Sequence, residues 1–191
     1  MDVTHAPRRG AIVEFIKFSF LALLIVTPFR MFVAQPFIVS GASMEPTFDP
    51  HEYLVVDQVS YRLDAPERGD VIIFRYPLDP ATFFIKRIVG LPFETVEVRG
   101  GMVFVSSLEG DERYALVEPY LASHHAQKDA RPVKLEAGEY YVLGDNRDAS
   151  ADSRVWGPVH ERFIVGRALM RLYPFDDTEI LPGEYHYPHG E

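Results

Sequence analysis

The hydrophobic pattern divides the chain in two. Phe18–Phe29 (FSFLALLIVTPF) carries no charge and is 12 residues long, short of the roughly 20 residues that cross hydrocarbon. Extending it to 11–34 reaches that length but takes in Glu14, Lys17 and Arg30. Glu14 and Lys17 are three apart and can pair on one helix face; Arg30 can snorkel outward. The segment reads as a membrane anchor over 11–34 behind a short N-terminus, 1–10. A buried amphipathic helix and a cleaved leader stay open. The leader fits less well, because no small-x-small site follows closely and Pro28-Phe29-Arg30 interrupts the apolar run.

After Gln35-Pro36 the pattern changes to short β-branched and aromatic runs bounded by Pro, Gly and Asp. These predict strands over Phe37–Ser40, Tyr53–Val59, Asp70–Tyr76, Phe83–Val89, Thr95–Arg99, Met102–Val105, Tyr140–Leu143 and Phe163–Leu172. Gly100-Gly101 between two of them is a hairpin signal. Ser106–Ala137 is polar and irregular and reads as an excursion. Pro174–Glu191 is proline-rich and acidic and reads as a surface tail. The expected architecture is mostly β, with a β domain over 35–173 that carries the excursion 106–137, then the tail 174–191.

Composition supports a single folded unit: 191 residues, 47% of them apolar, are enough to bury a core. No cysteine is present, which excludes disulfides, thiol nucleophiles and cysteine-ligated metals. The net charge of −9 is unevenly spread. Residues 1–34 hold 4 basic and 2 acidic residues, +2, whereas the remainder holds 15 basic and 26 acidic, −11. An acidic body argues against nucleic acid as a partner. A basic end before an acidic domain matches a cytoplasmic N-terminus followed by an exported body.

Three segments carry candidate chemistry. In Gly41-Ala42-Ser43-Met44-Glu45-Pro46-Thr47, Ser43 is by itself an ordinary turn serine. Gly41 adds room for a substrate backbone, and the Ser43 N–H could face a developing oxyanion. In Phe84-Ile85-Lys86-Arg87-Ile88-Val89-Gly90, alternation puts Phe84, Lys86 and Ile88 on one strand face. On this strand alone a snorkelling edge lysine is the plainer reading. A buried lysine would instead lose its proton readily and act as a base. The third segment, Gly144–Arg154 (GDNRDASADSR), lacks the repeated oxygen ligands of a calcium loop and could be a plain turn. Its eleven small and polar residues suggest a hydrogen-bonded scaffold in which Ser150 orients an amine. The histidines (His124-His125, His186-x-x-His189) form no convincing metal set, and no metal or cofactor is expected.

Taken together, Ser-Met-x-Pro-Thr at Ser43–Thr47, Lys-Arg-hydrophobic-hydrophobic-Gly at Lys86–Gly90 and the Gly144–Arg154 run resemble the bacterial type I signal peptidase family. The resemblance covers most of 12–105 and 139–172. It implies a signal-peptidase-like β catalytic core with an N-terminal membrane-anchoring helix. It also implies Ser43 as nucleophile, Lys86 as general base and an acyl-enzyme intermediate. Ser150 matches the serine that orients the lysine, while Asp145, Arg147, Asp152 and Arg154 match supporting residues. Where some members place a serine hydroxyl in the oxyanion hole, this chain has Gly41, which implies backbone donors. Phe37, Met44, Phe84 and Ile85 are the expected substrate contacts. The implied partners are signal peptides of exported precursors and the lipid bilayer. The implied location is the bacterial cytoplasmic membrane, single-pass, with the catalytic domain on the extracytoplasmic side. Gly90-Leu91-Pro92-Phe93-Glu94 departs from the family's usual Gly-x-Pro-Gly-Asp, and Ser106–Ala137 matches nothing assigned. A peptidase dedicated to one secretion system and a non-catalytic anchored binding module are the rival readings.

Overall fold

The computed structural model describes residues 8–32, 34–107, 113–121 and 129–187. His124, His125 and His189 fall outside these residues. The first element is a helix, α1 (Arg8–Phe32), after which β1 (Ala34–Ile38) begins. The first strand starts three residues before the expected Phe37 and runs through Pro36. β1 lies at the edge of its sheet, a position where a missing N–H costs no ladder bond. No described helix is long and apolar enough to cross a membrane. The apolar side chains of α1 are nevertheless exposed, among them Phe15, Ile16, Phe18, Phe20, Leu23 and Leu24.

The remaining strands are β2 (Tyr53–Asp57), β3 (Val71–Tyr76), β4 (Asp79–Gly90), β5 (Thr95–Arg99), β6 (Met102–Ser106), β7 (Arg113–Ala115), β8 (Ala130–Lys134) and β9 (Glu139–Leu143). They continue with β10 (Val159–His160), β11 (Ile164–Tyr173) and β12 (Glu179–Ile180), and a one-turn helix α2 (Ser153–Trp156) precedes β10. The larger sheet runs β1-β2-β11-β3-β4-β9-β10 with β12 added to β11, and the smaller runs β7-β6-β5-β8. Every pairing is antiparallel. The hairpin turn at Gly100-Gly101 has positive φ at both glycines, 58° and 80°, as a two-residue turn between twisted strands requires.

Consecutive residues of β3 feed two cores. Val71 and Ile73 pack with Val39, Met44, Phe48, Leu54 and Ile85 on one face. Ile72 and Phe74 pack with Ile88, Tyr140 and Val142 on the other. A strand buried on both faces reads as an unbroken apolar run rather than an alternation, as Val71-Ile72-Ile73-Phe74 does. Each such side chain contributes about 1.5–3 kcal/mol when fully buried.

The segment read as an excursion supplies β7 and β8 and so completes the second sheet, with its own core of Val96, Val98, Val103, Val105, Leu116 and Leu135. Of 106–137, residues 108–112 and 122–128 lie outside the described residues. The segment read as a surface tail pairs through β12 and then packs inward as far as Tyr187.

Candidate active site

Ser43 sits on the turn between β1 and β2. That turn is stapled from below: Met44 and Phe48 are fully buried in the core, and Phe48 N–H donates to Met44 O at 2.9 Å. Its ends are tied by Val39 N–H to Glu52 O and His51 N–H to Val39 O, both 2.9 Å. With its two large neighbours inserted, the turn leaves Ser43 half-buried at the surface. Met44, expected to touch substrate, is instead 0% exposed and packs into the core. The turn directs its long apolar side chain down where Ser43 points up.

Lys86 lies in β4 opposite Ile72 of β3, in the interior of the sheet rather than at an edge. It is 3% exposed. Its Nζ stands 2.6 Å from Ser43 Oγ and donates to Ile85 O at 2.7 Å. The Phe84 ring centroid is 5.5 Å away. Burial lowers the lysine pKa to about 8, and the charges of Asp152 and Asp145 only partly oppose this. The amine therefore exchanges its proton close to neutral pH.

The Gly144–Arg154 loop frames the pair. Asn146 N–H donates to Ser43 O at 3.1 Å. Gly144 passes so close that a Cβ would stand 2.3 Å from Ser150 Oγ and 2.4 Å from Ser43 O, so no other residue fits there. Asp152 caps α2 by accepting from Arg154 N–H and also accepts from Gly144 N–H at 3.1 Å. Arg154 forks onto Asp152 at 2.8 and 2.7 Å and reaches Arg147 O at 2.7 Å. Arg147 in turn donates through Nε to Gly144 O at 2.9 Å. Ser150 is packed against Gly144 but its buried Oγ makes no hydrogen bond among the described residues. The structure thus brings Ser150 into the site without joining it to Lys86.

Asp145 faces the other way. It accepts from Arg87 Nε at 2.9 Å and Nη2 at 2.7 Å and from the Thr47 hydroxyl. Both members of the ion pair have side chains 0% exposed. Burial alone would lower the arginine pKa, but hydrogen bonds to Asp145 and its charge outweigh that and raise it. Arg87 therefore keeps its charge, and through Asp145 it ties β4 to the turn that bears Ser43.

In front of Ser43 and Lys86 is a cleft of about 230 Å³, lined by Phe37, Ile38, Val39, Gly41, Phe84 and Ile85 among others. Phe37, Phe84 and Ile85, the expected substrate contacts, are among the residues that line it. Gly41, at φ 81°, has nothing within 4 Å of the place a Cβ would occupy, so its Cα faces open space.

Four residues of the surrounding network have no role assigned by the local reading: Thr47, which lies in the Ser43–Thr47 motif, and Glu118, Tyr120 and Tyr187. Glu118 pairs with Arg147, and the Tyr120 ring covers the Arg87 guanidinium at 3.9 Å. Both come from the supposed excursion. The one sequence signal was the burial-prone Leu116 and Tyr120 inside an otherwise polar stretch.

A hydroxyl set 2.6 Å from a buried amine, at an apolar cleft on an antiparallel β core, is the equipment of a serine peptidase. The family model described as "Signal peptidase, peptidase S26" matches residues 12–173, and the chain belongs to that family. It is 36% identical to a probable signal peptidase I-2 of Synechocystis over 93% of this chain and 80% of that one. It is 33% identical to signal peptidase I of Pseudomonas aeruginosa (88% and 75% covered) and 34% identical to signal peptidase I P of Bacillus subtilis subsp. natto (88% and 93% covered).

Proposed function

We propose that this serine peptidase removes signal peptides from exported precursors, with Ser43 as nucleophile and Lys86 as general base. The single observation that carries the reading is the 2.6 Å approach of a buried amine, its pKa lowered by burial, to a hydroxyl that opens on the cleft. An extended precursor segment lies between residues 37–42 and Phe83–Ile85 and pairs by backbone hydrogen bonds. Phe37 and Phe84 narrow the cleft and favour small side chains before the cut.

Neutral Lys86 takes the Ser43 proton as Oγ attacks the scissile carbonyl carbon. The Ser43 N–H, which no hydrogen bond within the described residues engages, faces the oxyanion. The carbon–nitrogen bond breaks, Lys86 hands its proton to the leaving amine, and an ester to Ser43 remains. Lys86 then takes a proton from water, the hydroxide equivalent attacks the ester, and that proton returns to Ser43. Asp145, Arg147, Asp152 and Arg154 hold the frame. Ser150 packs against Gly144.

The same reading seats α1 in the bacterial cytoplasmic membrane as a single-pass anchor over 11–34, with the catalytic domain outside. Exposed apolar side chains along the helix and the +2 charge of residues 1–34 against −11 for the rest support it. The test is cleavage, in detergent, of a precursor with alanine at the first and third positions before the cut. Wild type is expected to release the mature protein, and Ser43→Ala and Lys86→Ala to leave it intact. Cleavage retained by both variants would overturn the assignment.

A further inference from the structure

The family match ends at residue 173, but the chain beyond it returns to the rear of the site. Leu181 N–H donates to Leu169 O at 2.8 Å, which ties the chain down after β12. Gly183 O then accepts from Arg87 Nη1 at 2.6 Å, a nitrogen that also donates to Gly69 O at 2.8 Å. The seat is tight. A Cβ on Gly183 (φ 72°) would stand 2.4 Å from Thr47 Cγ2, and one on Gly69 would stand 1.9 Å from Tyr185 O. The Tyr185 ring packs on Tyr120 at 5.5 Å and on Tyr187 at 4.8 Å. The single Tyr120 hydroxyl proton goes to Glu118 Oε1 at 2.7 Å, so the 2.7 Å bond between Tyr187 and Tyr120 is donated by Tyr187.

Two lines therefore run from the tail to the catalytic turn. One passes from Gly183 through Arg87 and Asp145 to Thr47, on the turn that carries Ser43. The other passes from Tyr187 through Tyr120 and Glu118 to Arg147, which holds Gly144 beside Ser43. No residue of 181–187 lines the cleft. We propose that Leu181–Tyr187 is a positioning strap that locks the Ser43 turn and the Gly144 loop in register from behind. Without it, a buried Arg87 N–H loses its acceptor and water enters behind Asp145. Small displacements of a reacting pair are costly, on the order of 100-fold for about 1 Å.

The proposal rests on Ser43 and Lys86 being the reacting pair, and the experiment separates the two. kcat and KM for precursor cleavage are measured for wild type, Tyr187→Phe, Gly183→Ala, a chain ending at Ile180, and Ser43→Ala, with folded fraction followed by circular dichroism. The shortened chain is expected to lose about 30-fold or more in kcat at unchanged folded fraction, with KM within about twofold. Gly183→Ala should fall in the same direction, and Tyr187→Phe, which keeps the ring and loses only the hydroxyl, should lose about threefold. Wild-type kcat in both the shortened chain and Gly183→Ala would overturn the strap, as would a loss that merely follows the folded fraction. A rise in KM with kcat intact would overturn it too, since it would make the segment a substrate contact. An active Ser43→Ala would instead sink the catalytic assignment, whatever the tail does.

Discussion

Lys86 and Arg87 are neighbours on β4, both cationic by nature, both 3% exposed or less, and the fold treats them in opposite ways. Arg87 is given a carboxylate on two nitrogens, two backbone carbonyls on a third and an aromatic ring over its face. Lys86 is given a hydroxyl, one carbonyl and a nearby phenyl ring. Asp145 and Asp152 act on it only from a distance. Burial costs a charge dearly unless it is paired. The paired guanidinium keeps its charge and becomes a strut, whereas the unpaired ammonium gives up its proton more readily, as the proposed base requires. One strand thus turns the same penalty into rigidity on one face and reactivity on the other.

The largest effect that breaks this comparison is chemical. Replacing Lys86 with methionine keeps bulk and removes the base; precursor cleavage should fall on the order of 1,000-fold or more, with KM little changed. Next comes the strut. Asp145→Ala leaves Arg87 buried and unpaired, and urea unfolding should report a loss of about 3–5 kcal/mol. With Asp145 in place, Arg87→Lys should also lose stability, because an ammonium cannot make the two-nitrogen fork.

Acidity sharpens the contrast further. The active form holds neutral Lys86, so kcat/KM should rise about tenfold per pH unit below about 8 and level off above it. The Asp152 charge raises the lysine pKa, so Asp152→Asn should move the midpoint to lower pH. A wild-type profile flat down to pH 6 would contradict the assignment. The smallest effect concerns stability. The folded lysine pKa is lowered, so the unfolded chain binds this proton more tightly and wild-type stability rises with pH between about 8 and 10.5. Lys86→Met escapes that penalty and should be the more stable protein at pH 7, by about 1 kcal/mol once the lost contacts are counted. The advantage should shrink above pH 10.5, where both states hold a neutral amine.

The strands of the larger sheet were legible because they are unbroken β-branched and aromatic runs with local punctuation. The first strand and β4 were placed short, since Pro36 and Asp79-Pro80 look like breaks and only an edge or a twisted hairpin end tolerates them. Lys86 was legible as a candidate but not as a buried one; a lysine between phenylalanine and isoleucine reads the same at an edge as at the centre, and only strand order decides. Met44 misled because its direction depends on how the turn is anchored. The contacts of Thr47, Glu118, Tyr120 and Tyr187 could not be read. Each is a single polar or aromatic residue whose partner lies many residues away, and no periodicity marks such a contact.

β1 begins within two residues of the end of α1, and Ser43 follows Phe32 by 11 residues. A chain of that length reaches about 36–40 Å when fully stretched, and much of it is already committed to the edge strand and the turn. With α1 seated in lipid as proposed, Ser43 is a blade on a short tether. It meets other membrane-tethered chains at an effective concentration on the order of millimolar, while bonds farther from the bilayer stay out of range. How near the membrane a peptide is held would then select what is cut before any side chain is read.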